Sequence, residues 1–295
     1  MKPISRVLRV VGIGFILSLI ATFAVSLKDN SSQPFVPPPK LSIWELISRR
    51  FLGGIGTKKD PFERDHKDPV VWGKFREEVS DNELLKLDGE FVEPLLGGIL
   101  ELVLRRGHDD VGVTETAAQH TQRLRELAKA YKELMGFDDR ELLELLLMLG
   151  VHETPEVMTF DMSRFTPLPT RPAERRRRVK SFKPASIRSE RRRVLREWKR
   201  ERPFVFSLTS GYDDRRRRLI LYLYDRFHLG RDRVAVFARQ LHYFQPARDI
   251  GDQTDDPLIV EWFRKVAFAY LTNERLRGDL AAAYGIEEPV RSDHN

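Results

Sequence analysis

The sequence of 295 residues contains no cysteine. This absence excludes a thiol nucleophile, a Cys-ligated zinc site and an iron–sulfur cluster, so any metal must be bound by histidine, carboxylate or backbone oxygen. A G-x-S-x-G nucleophile motif is also absent, and the glycine-rich stretch at residues 53–58 lacks the spacing of a phosphate-binding loop. The chemistry that stays open is based on histidine and carboxylate side chains.

Positive charge is concentrated in one segment of the chain. The whole sequence has 51 basic and 44 acidic residues, a net charge of +7. Residues 171–202 contain fifteen Lys or Arg and four Glu, a net of +11, which leaves 36 basic and 40 acidic residues, or −4, for the rest. Phe182 and Trp198 are the only aromatic residues in the segment, and this scarcity disfavours a nucleic-acid partner. We predict a solvated insertion or a surface for anionic lipid headgroups.

The N-terminal region has the layout of a membrane anchor. Lys2, Arg6 and Arg9 precede an uncharged stretch at residues 10–27, which as a helix spans about 27 Å and can cross a bilayer. A cleaved signal peptide has the same layout. Residues 1–27 are therefore predicted to be a signal anchor or a signal peptide. The anchor predicts a single-pass membrane protein, with the membrane and its side left open.

The rest of the chain divides into a linker region and a helical domain. Residues 28–67 combine a linker containing four prolines, which stiffen an extended chain, with a short amphipathic helix at 42–52. From residue 68 onward, apolar residues recur at spacings of three and four, and strand-like alternation is scarce. We predict an all-α domain, a helical bundle, over residues 68–290, with the basic segment as an insertion.

A long buried helix is predicted near the middle of this domain. Gly136 suits the C-cap of a preceding helix, and Asp138 with Glu141 suits an N-cap for the run LLELLLMLGV, which is apolar nearly all round. His152 ends this run, and His120 begins an apolar stripe on another predicted helix. Both imidazoles are therefore expected to face the core and to meet there.

Three carboxylates accompany the second of these histidines. Glu153 and Glu156 follow His152 closely, and Asp161 comes after one apolar turn. Imidazoles and carboxylates together bind divalent cations and position water for hydrolysis. The spacing alone is more often that of a structural cluster.

Four motifs occur in order between residues 102 and 162. Residues 105–108 read RRGH, residues 115–120 read ETAAQH, residues 152–156 read HETPE, and Phe160–Asp161 follows. This order resembles that of the HD-domain phosphohydrolases, in particular their 5′-deoxynucleotidase-like branch. That family has an Arg-x-Gly-aromatic turn, an E-[ST]-x-A-x-H motif, and an H-D-x-x-E motif that ends a buried helix and precedes Gly-Asp.

The resemblance implies a helical domain in which two His and two Asp bind a divalent metal, here Mn²⁺, Co²⁺, Mg²⁺ or Zn²⁺. It implies a nucleoside 5′-monophosphate, usually a deoxynucleotide, as the substrate. Carried over by motif position, His120, His152 and Glu153 are the metal ligands, Glu156 positions the attacking water, Asp161 is a substrate or neighbouring contact, and Arg105 contacts phosphate. Glu153 departs from the family, which has Asp at this position.

A second departure concerns the last ligand, an Asp on a late helix of the family. The best match, residues 234–250, places Arg239 at that position. A guanidinium has no lone pair to donate and repels a cation, so Arg239 is interpreted as removing a ligand or as contacting a substrate phosphate. Asp232 and His242, seven and three residues from Arg239, are alternatives for the missing ligand.

These departures leave two main functions open, besides that of a purely structural membrane subunit. One is a membrane-tethered, metal-dependent phosphohydrolase related to 5′-deoxynucleotidases, which acts on a nucleotide or another phosphomonoester. The other is an inactive HD-domain pseudoenzyme that binds a nucleotide, an anion or a protein partner at a membrane. A homodimer is compatible with both.

Overall fold

The computed structural model describes residues 60–62, 65, 68–102, 115–155, 169 and 171–286. This part of the chain is helical and contains no strand, so the all-α prediction is confirmed for it. The α-helices are, in chain order, α1 (Pro69–Glu78), α2 (Asp81–Leu87), α3 (Glu93–Leu96), α4 (Ala117–Ala130), α5 (Lys132–Met135), α6 (Asp139–Val151), α7 (Pro172–Lys180), α8 (Ile187–Leu208), α9 (Asp214–Leu229), α10 (Arg233–Asp249), α11 (Pro257–Tyr270) and α12 (Glu274–Ala283). One π turn and two 3-10 turns lie between them, at Asp88–Val92, Ile99–Leu102 and Ile250–Asp252.

Local sequence signals set the bounds of the central helices. Gly136 adopts a left-handed conformation, with φ of 61°, and ends α5 as predicted. Helix α6 begins with the predicted capping box, in which the Asp138 side chain accepts from the Glu141 amide and the Glu141 side chain accepts from the Asp138 amide. Thr116 and Gln119 form a second capping box at the start of α4. These caps fix the residues at which α4 and α6 begin, and so the directions of the side chains in their first turns.

Helix α6 lies in the middle of the domain. Its residues from Glu144 to Val151 are all buried, which confirms the prediction from its apolar composition. It packs against α4, α9 and α10, and those helices are buried along most of their length. Gly150 allows the backbone of α6 to approach Val92 closely, because a Cβ atom at this position would lie only 2.3 Å from Val92 Cγ1.

A buried ion-pair network connects α6 to two neighbouring helices. The Glu144 carboxylate accepts two hydrogen bonds of 2.9 Å from Arg76 on α1 and one of 2.5 Å from Arg226 on α9. Arg226 also bonds Asp232, whose side chain caps the start of α10. A buried charge of this kind is tolerated only with close partners. The network therefore holds α1, α6, α9 and the beginning of α10 in one arrangement.

The basic segment 171–202 forms α7, a non-helical connection at residues 181–186 and the first part of α8. Two of its cations are buried in ion pairs: Arg175 pairs with Asp256, and Arg202 pairs with Asp225. Other cations of α7 are exposed. A solvated insertion therefore describes only part of the segment, because acidic residues distant in sequence bind some of its arginines.

The predicted anchor at residues 1–27 and the linker up to residue 59 lie outside the described residues, as does the amphipathic stretch at 42–52. None of the helices within the described ranges is both long and apolar enough to span a membrane. The described chain begins at Asp60, which pairs with the buried Arg202.

Candidate metal centre

Four metal-binding side chains from three places in the fold meet in the core. His120 lies in the first turn of α4, His152 caps the C-terminus of α6 and is followed by Glu153, and His242 lies in the middle of α10. Each of these residues is at most 4% exposed. One donor atom from each lies within 4.8 Å of the donor atoms of the others. Tetrahedral donors about 2.1 Å from one ion lie about 3.4 Å apart, so a small inward movement of these side chains would bring all four to one ion.

The carboxylate of Glu153 lies between the three imidazoles. Its Oε1 atom is 2.7 Å from His152 Nε2, 3.6 Å from His120 Nε2 and 3.7 Å from His242 Nε2. Burial disfavours the charged form of Glu153, but the attraction of the neighbouring imidazoles, His152 first, outweighs it while they carry a proton and holds the pKa of Glu153 well below its usual value. Glu153 is therefore an ionised carboxylate inside the protein.

The backbone of α6 orients His152. Its Nδ1 atom lies 2.5 Å from the carbonyl oxygen of Leu149, which can only accept, so Nδ1 carries the proton. In the neutral imidazole, Nε2 then presents a lone pair towards Glu153. His152 also packs against the ring of Phe227 on α9, with 4.5 Å between the centroids. Both contacts restrict rotation of the ring.

Gln245 on α10 orients His120 in the same way. The Gln245 amide nitrogen donates to Glu115 at 3.2 Å and to Asp249 at 2.9 Å, and both are carboxylates that accept. The amide oxygen of Gln245 therefore faces His120, 2.7 Å from its Nδ1, which must be the donor. The lone pair of neutral His120 is thus on Nε2, on the side of Glu153.

With the proton on Nδ1, neutral His152 and neutral His120 both direct an accepting Nε2 atom towards the carboxylate of Glu153. His152 Nε2 and Glu153 Oε2 are buried atoms with no hydrogen-bond partner among the described residues, although Nε2 lies 2.7 Å from the other oxygen of Glu153. Lone pairs and a carboxylate at such distances repel one another unless a proton or a metal ion lies between them. A proton on one imidazole satisfies a single pair, whereas one metal ion satisfies all four side chains. The donor set therefore fits a divalent cation.

The structure brings together the three residues predicted as ligands, His120, His152 and Glu153, and adds His242. Arg239, the residue at the position of the family's last ligand, contacts the end of a neighbouring helix. Its guanidinium donates to the carbonyl oxygens of Phe227 and Gly230, at the C-terminus of α9.

The C-terminus of α9 explains the position of the Arg239 guanidinium. Carbonyl groups of a last helical turn have no partner within their helix and form the negative end of its dipole, so they attract a guanidinium. Arg239 therefore stabilises the end of α9, and His242, one of the two alternatives, belongs to the four-residue group that could hold a metal ion. The other alternative, Asp232, pairs with Arg226. The remaining predicted site residues, Arg105, Glu156 and Asp161, lie outside the described residues.

Sequence reasoning missed the groups that support the ligands. Gln245 and Asp249 were not predicted to contribute, and Glu115 was recognised only as part of a motif. A signal was present: Gln245 and Asp249 follow His242 by three and seven residues, the spacing of one helix face, and polar residues are otherwise scarce on the buried side of α10. Ligating histidines commonly donate their second nitrogen to such a partner.

A comparison with protein-family models, curated proteins and solved structures finds no match for the chain. Three imidazoles and one carboxylate form a donor set suited to transition metals and zinc, whereas Mg²⁺ and Ca²⁺ favour oxygen donors. Such a centre can serve hydrolysis or hold helices together.

Proposed function

We propose that the chain is a metal-dependent phosphohydrolase of the HD-domain type, with its divalent centre at His120, His152, Glu153 and His242. The observation that carries the proposal is the convergence of these four buried donors from α4, the end of α6 and α10. Glu153 is ionised, and contacts with Leu149 and Gln245 orient two of the imidazoles. Oriented donors around a buried carboxylate are what a metal centre requires.

The order of the ligands along the chain supports the HD-domain type. In that family a first His is followed by a His–Asp pair at the end of a buried helix and by an Asp on a late helix. Here His120, the His152–Glu153 pair and His242 occupy places of the same kind. A Glu and a His replace the two Asp, and both replacements retain a metal-binding donor.

The charge of the donor set favours an anionic substrate. The site has one carboxylate, Glu153, so a divalent cation leaves a net local charge of +1, whereas two Asp would neutralise it. A phosphate monoester carries up to two negative charges at neutral pH and is attracted to such a site. A bound divalent cation supplies Lewis acidity for phosphoryl oxygens and lowers the pKa of water. The chain itself holds the donors in place through Gln245 and Leu149.

We propose a nucleoside 5′-monophosphate as the substrate class, on the resemblance of residues 102–162 to 5′-deoxynucleotidases. The three imidazoles favour Mn²⁺, Co²⁺ or Zn²⁺ over Mg²⁺ as the cation. Tethering to a membrane by residues 1–27 belongs to the same proposal and rests on the sequence alone.

A second function is favoured by one observation: the four donors are all protein side chains and all buried. Four protein ligands complete the tetrahedral shell of a structural zinc site, whereas catalytic sites keep a position open for water. On this reading the metal holds α4, α6 and α10 together, and the domain is a pseudoenzyme that binds a nucleotide, an anion or a protein.

The test uses the full-length protein, loaded with Mn²⁺, Co²⁺ or Zn²⁺, and measures phosphate release from deoxynucleoside 5′-monophosphates. We expect metal-dependent release that is lost in His152→Gln and retained in His228→Gln. His228 is a matched control because it is a buried histidine outside the four-residue group. One metal per chain without phosphate release would support the structural function, and a protein that binds no metal would refute both.

A further inference from the structure

A second candidate site lies at a different face of α10 from the metal centre. A groove of about 400 Å³ opens between the α7–α8 connection and helices α10 and α11. Its aromatic wall is formed by Phe182, Tyr243, Trp262 and Tyr270. Tyr243 follows His242 in sequence, and consecutive residues of a helix point about 100° apart. The groove shares no lining residue with the four metal-binding side chains.

The aromatic rings of the groove are fixed in two pairs. Phe182 and Trp262 pack edge to face with 5.2 Å between centroids, and Tyr243 and Tyr270 lie 5.3 Å apart at an angle of 30°. Tyr270 is further held by a hydrogen bond from the Ala185 amide to its hydroxyl, at 3.1 Å. Rigid aromatic surfaces that border an open groove favour a planar ring as ligand.

The acidic residue of the groove is already neutralised. Glu190 accepts hydrogen bonds from Arg193, at 2.5 and 2.9 Å, and from the Tyr243 hydroxyl, at 2.6 Å. The negative charge of Glu190 is therefore offset inside the protein and does not repel an anion. The Arg193 guanidinium forms ion pairs with Glu190 and Glu197.

The groove also borders an accumulation of uncompensated positive charge. Arg178 and Lys183 line it, and Arg176, Arg177 and Lys180 line an adjoining shallow groove that shares Ser181 with it. All five cations are exposed, and none pairs with an acidic side chain within the ranges that the structure describes. The Arg178 guanidinium lies 6.0 Å from the ring centre of Trp262, which places a cation at the edge of the aromatic wall.

We propose that this groove binds a nucleoside polyphosphate, with the base against the aromatic wall and the phosphates along the cations of α7 and Lys183. The ring-binding surface and the charge are adjacent and connected through Ser181, as such a ligand requires. A lipid headgroup carries phosphate but presents no aromatic ring, and a groove of this volume suits one base with its sugar. Guanidinium groups bind phosphate oxygens through charge-assisted hydrogen bonds.

The binding test uses a non-hydrolysable ATP analogue, with a β,γ-imido bridge, as the probe and the full-length protein in a calorimetric titration. We expect the double variant Arg178→Gln/Lys183→Gln to weaken binding at least tenfold. The matched control Lys74→Gln/Arg231→Gln makes the same charge change at two exposed cations outside the groove and should bind like the wild type. Phe182→Ala should weaken binding at least fivefold, with circular dichroism confirming that the variant is folded.

Two further probes separate the sources of affinity. Inorganic tripolyphosphate should bind at least tenfold more weakly than the nucleotide, because it cannot use the aromatic wall. Equal binding of the two, wild-type affinity in the double variant, or binding of anionic phospholipid vesicles without any binding of the nucleotide would overturn the proposal. Nucleotide binding at the groove should persist when a chelator keeps metal from the four-residue group, so that failure of the metal centre and failure of this site can be told apart.

Discussion

Binding of a metal at the four-residue group should measurably raise the stability of the fold. The donors come from α4, from the end of α6 and from α10, so one ion connects segments about 30 and 90 residues apart in sequence. An ion that binds only the folded state stabilises it by about 2.7 kcal/mol when its free concentration is 100 times Kd. For a domain of this size, 1 kcal/mol shifts Tm by about 2–4 °C, so the expected rise is about 5–11 °C.

The assay is thermal unfolding of the full-length protein, followed by circular dichroism, with a chelator and with a stepwise excess of Zn²⁺ or Mn²⁺. We expect the Tm to rise with metal in the wild type and in His228→Gln, and to be insensitive to metal in His152→Gln. The Gln at position 152 removes one donor from the group without adding a charge. A wild-type Tm that is the same with chelator and with metal would refute the reasoning.

Four further changes should have defined effects. Gln245→Met removes the acceptor that orients His120 and should weaken metal affinity about 10–100-fold in a competition titration with a chromophoric chelator. Gly150→Ala should cost about 1–3 kcal/mol of unfolding free energy in urea, because its Cβ would lie 2.3 Å from a valine methyl group. Arg239→Met should cost about 1–3 kcal/mol and leave metal affinity unchanged. Burial, partly opposed by Arg202 and Trp198, raises the pKa of Asp225 to about 6. The folded state therefore holds this proton to a higher pH than the unfolded chain does, and the free energy of unfolding falls as the pH rises from about 4 to 6. Asp225→Asn should remove this fall, as measured by urea unfolding at a series of pH values.

Each of these expectations has its own control or contrary result. The cost of Gly150→Ala should be partly relieved by adding Val92→Ala, and an unrelieved cost would place the strain elsewhere. Loss of metal binding in Arg239→Met would show that Arg239 contributes to the metal site. Unchanged metal affinity in Gln245→Met would show that His120 is oriented by other contacts. An unchanged pH slope in Asp225→Asn would show that other groups cause it.

The central helices could be predicted because their signals are local. The capping box of Asp138 and Glu141, the apolar run after it and the C-cap Gly136 each act within a few residues, and all three are present in the structure. The meeting of His120 with His152 and Glu153 followed from helix periodicity and from motif order. These features do not depend on how distant helices pack.

The fourth member of the four-residue group could not be settled from the sequence because Arg239 and His242 lie within one turn of the same helix. Which of the two reaches the cluster depends on the end of α9, whose carbonyl groups attract the guanidinium. The position of that end is set by tertiary packing. The partners of Arg175 and Arg202, Asp256 and Asp225, are distant in sequence for the same reason, so the expectation of a wholly solvated insertion went too far.

The most direct test of the central claim is anomalous X-ray diffraction from crystals of the protein loaded with Zn²⁺ or Mn²⁺, recorded at the absorption edge of the metal. We expect one strong peak about 2.0–2.3 Å from Nε2 of His120, His152 and His242 and from a carboxylate oxygen of Glu153. A folded protein with no peak among these four side chains, or with its only peak elsewhere, would contradict the assignment of this cluster as a metal centre.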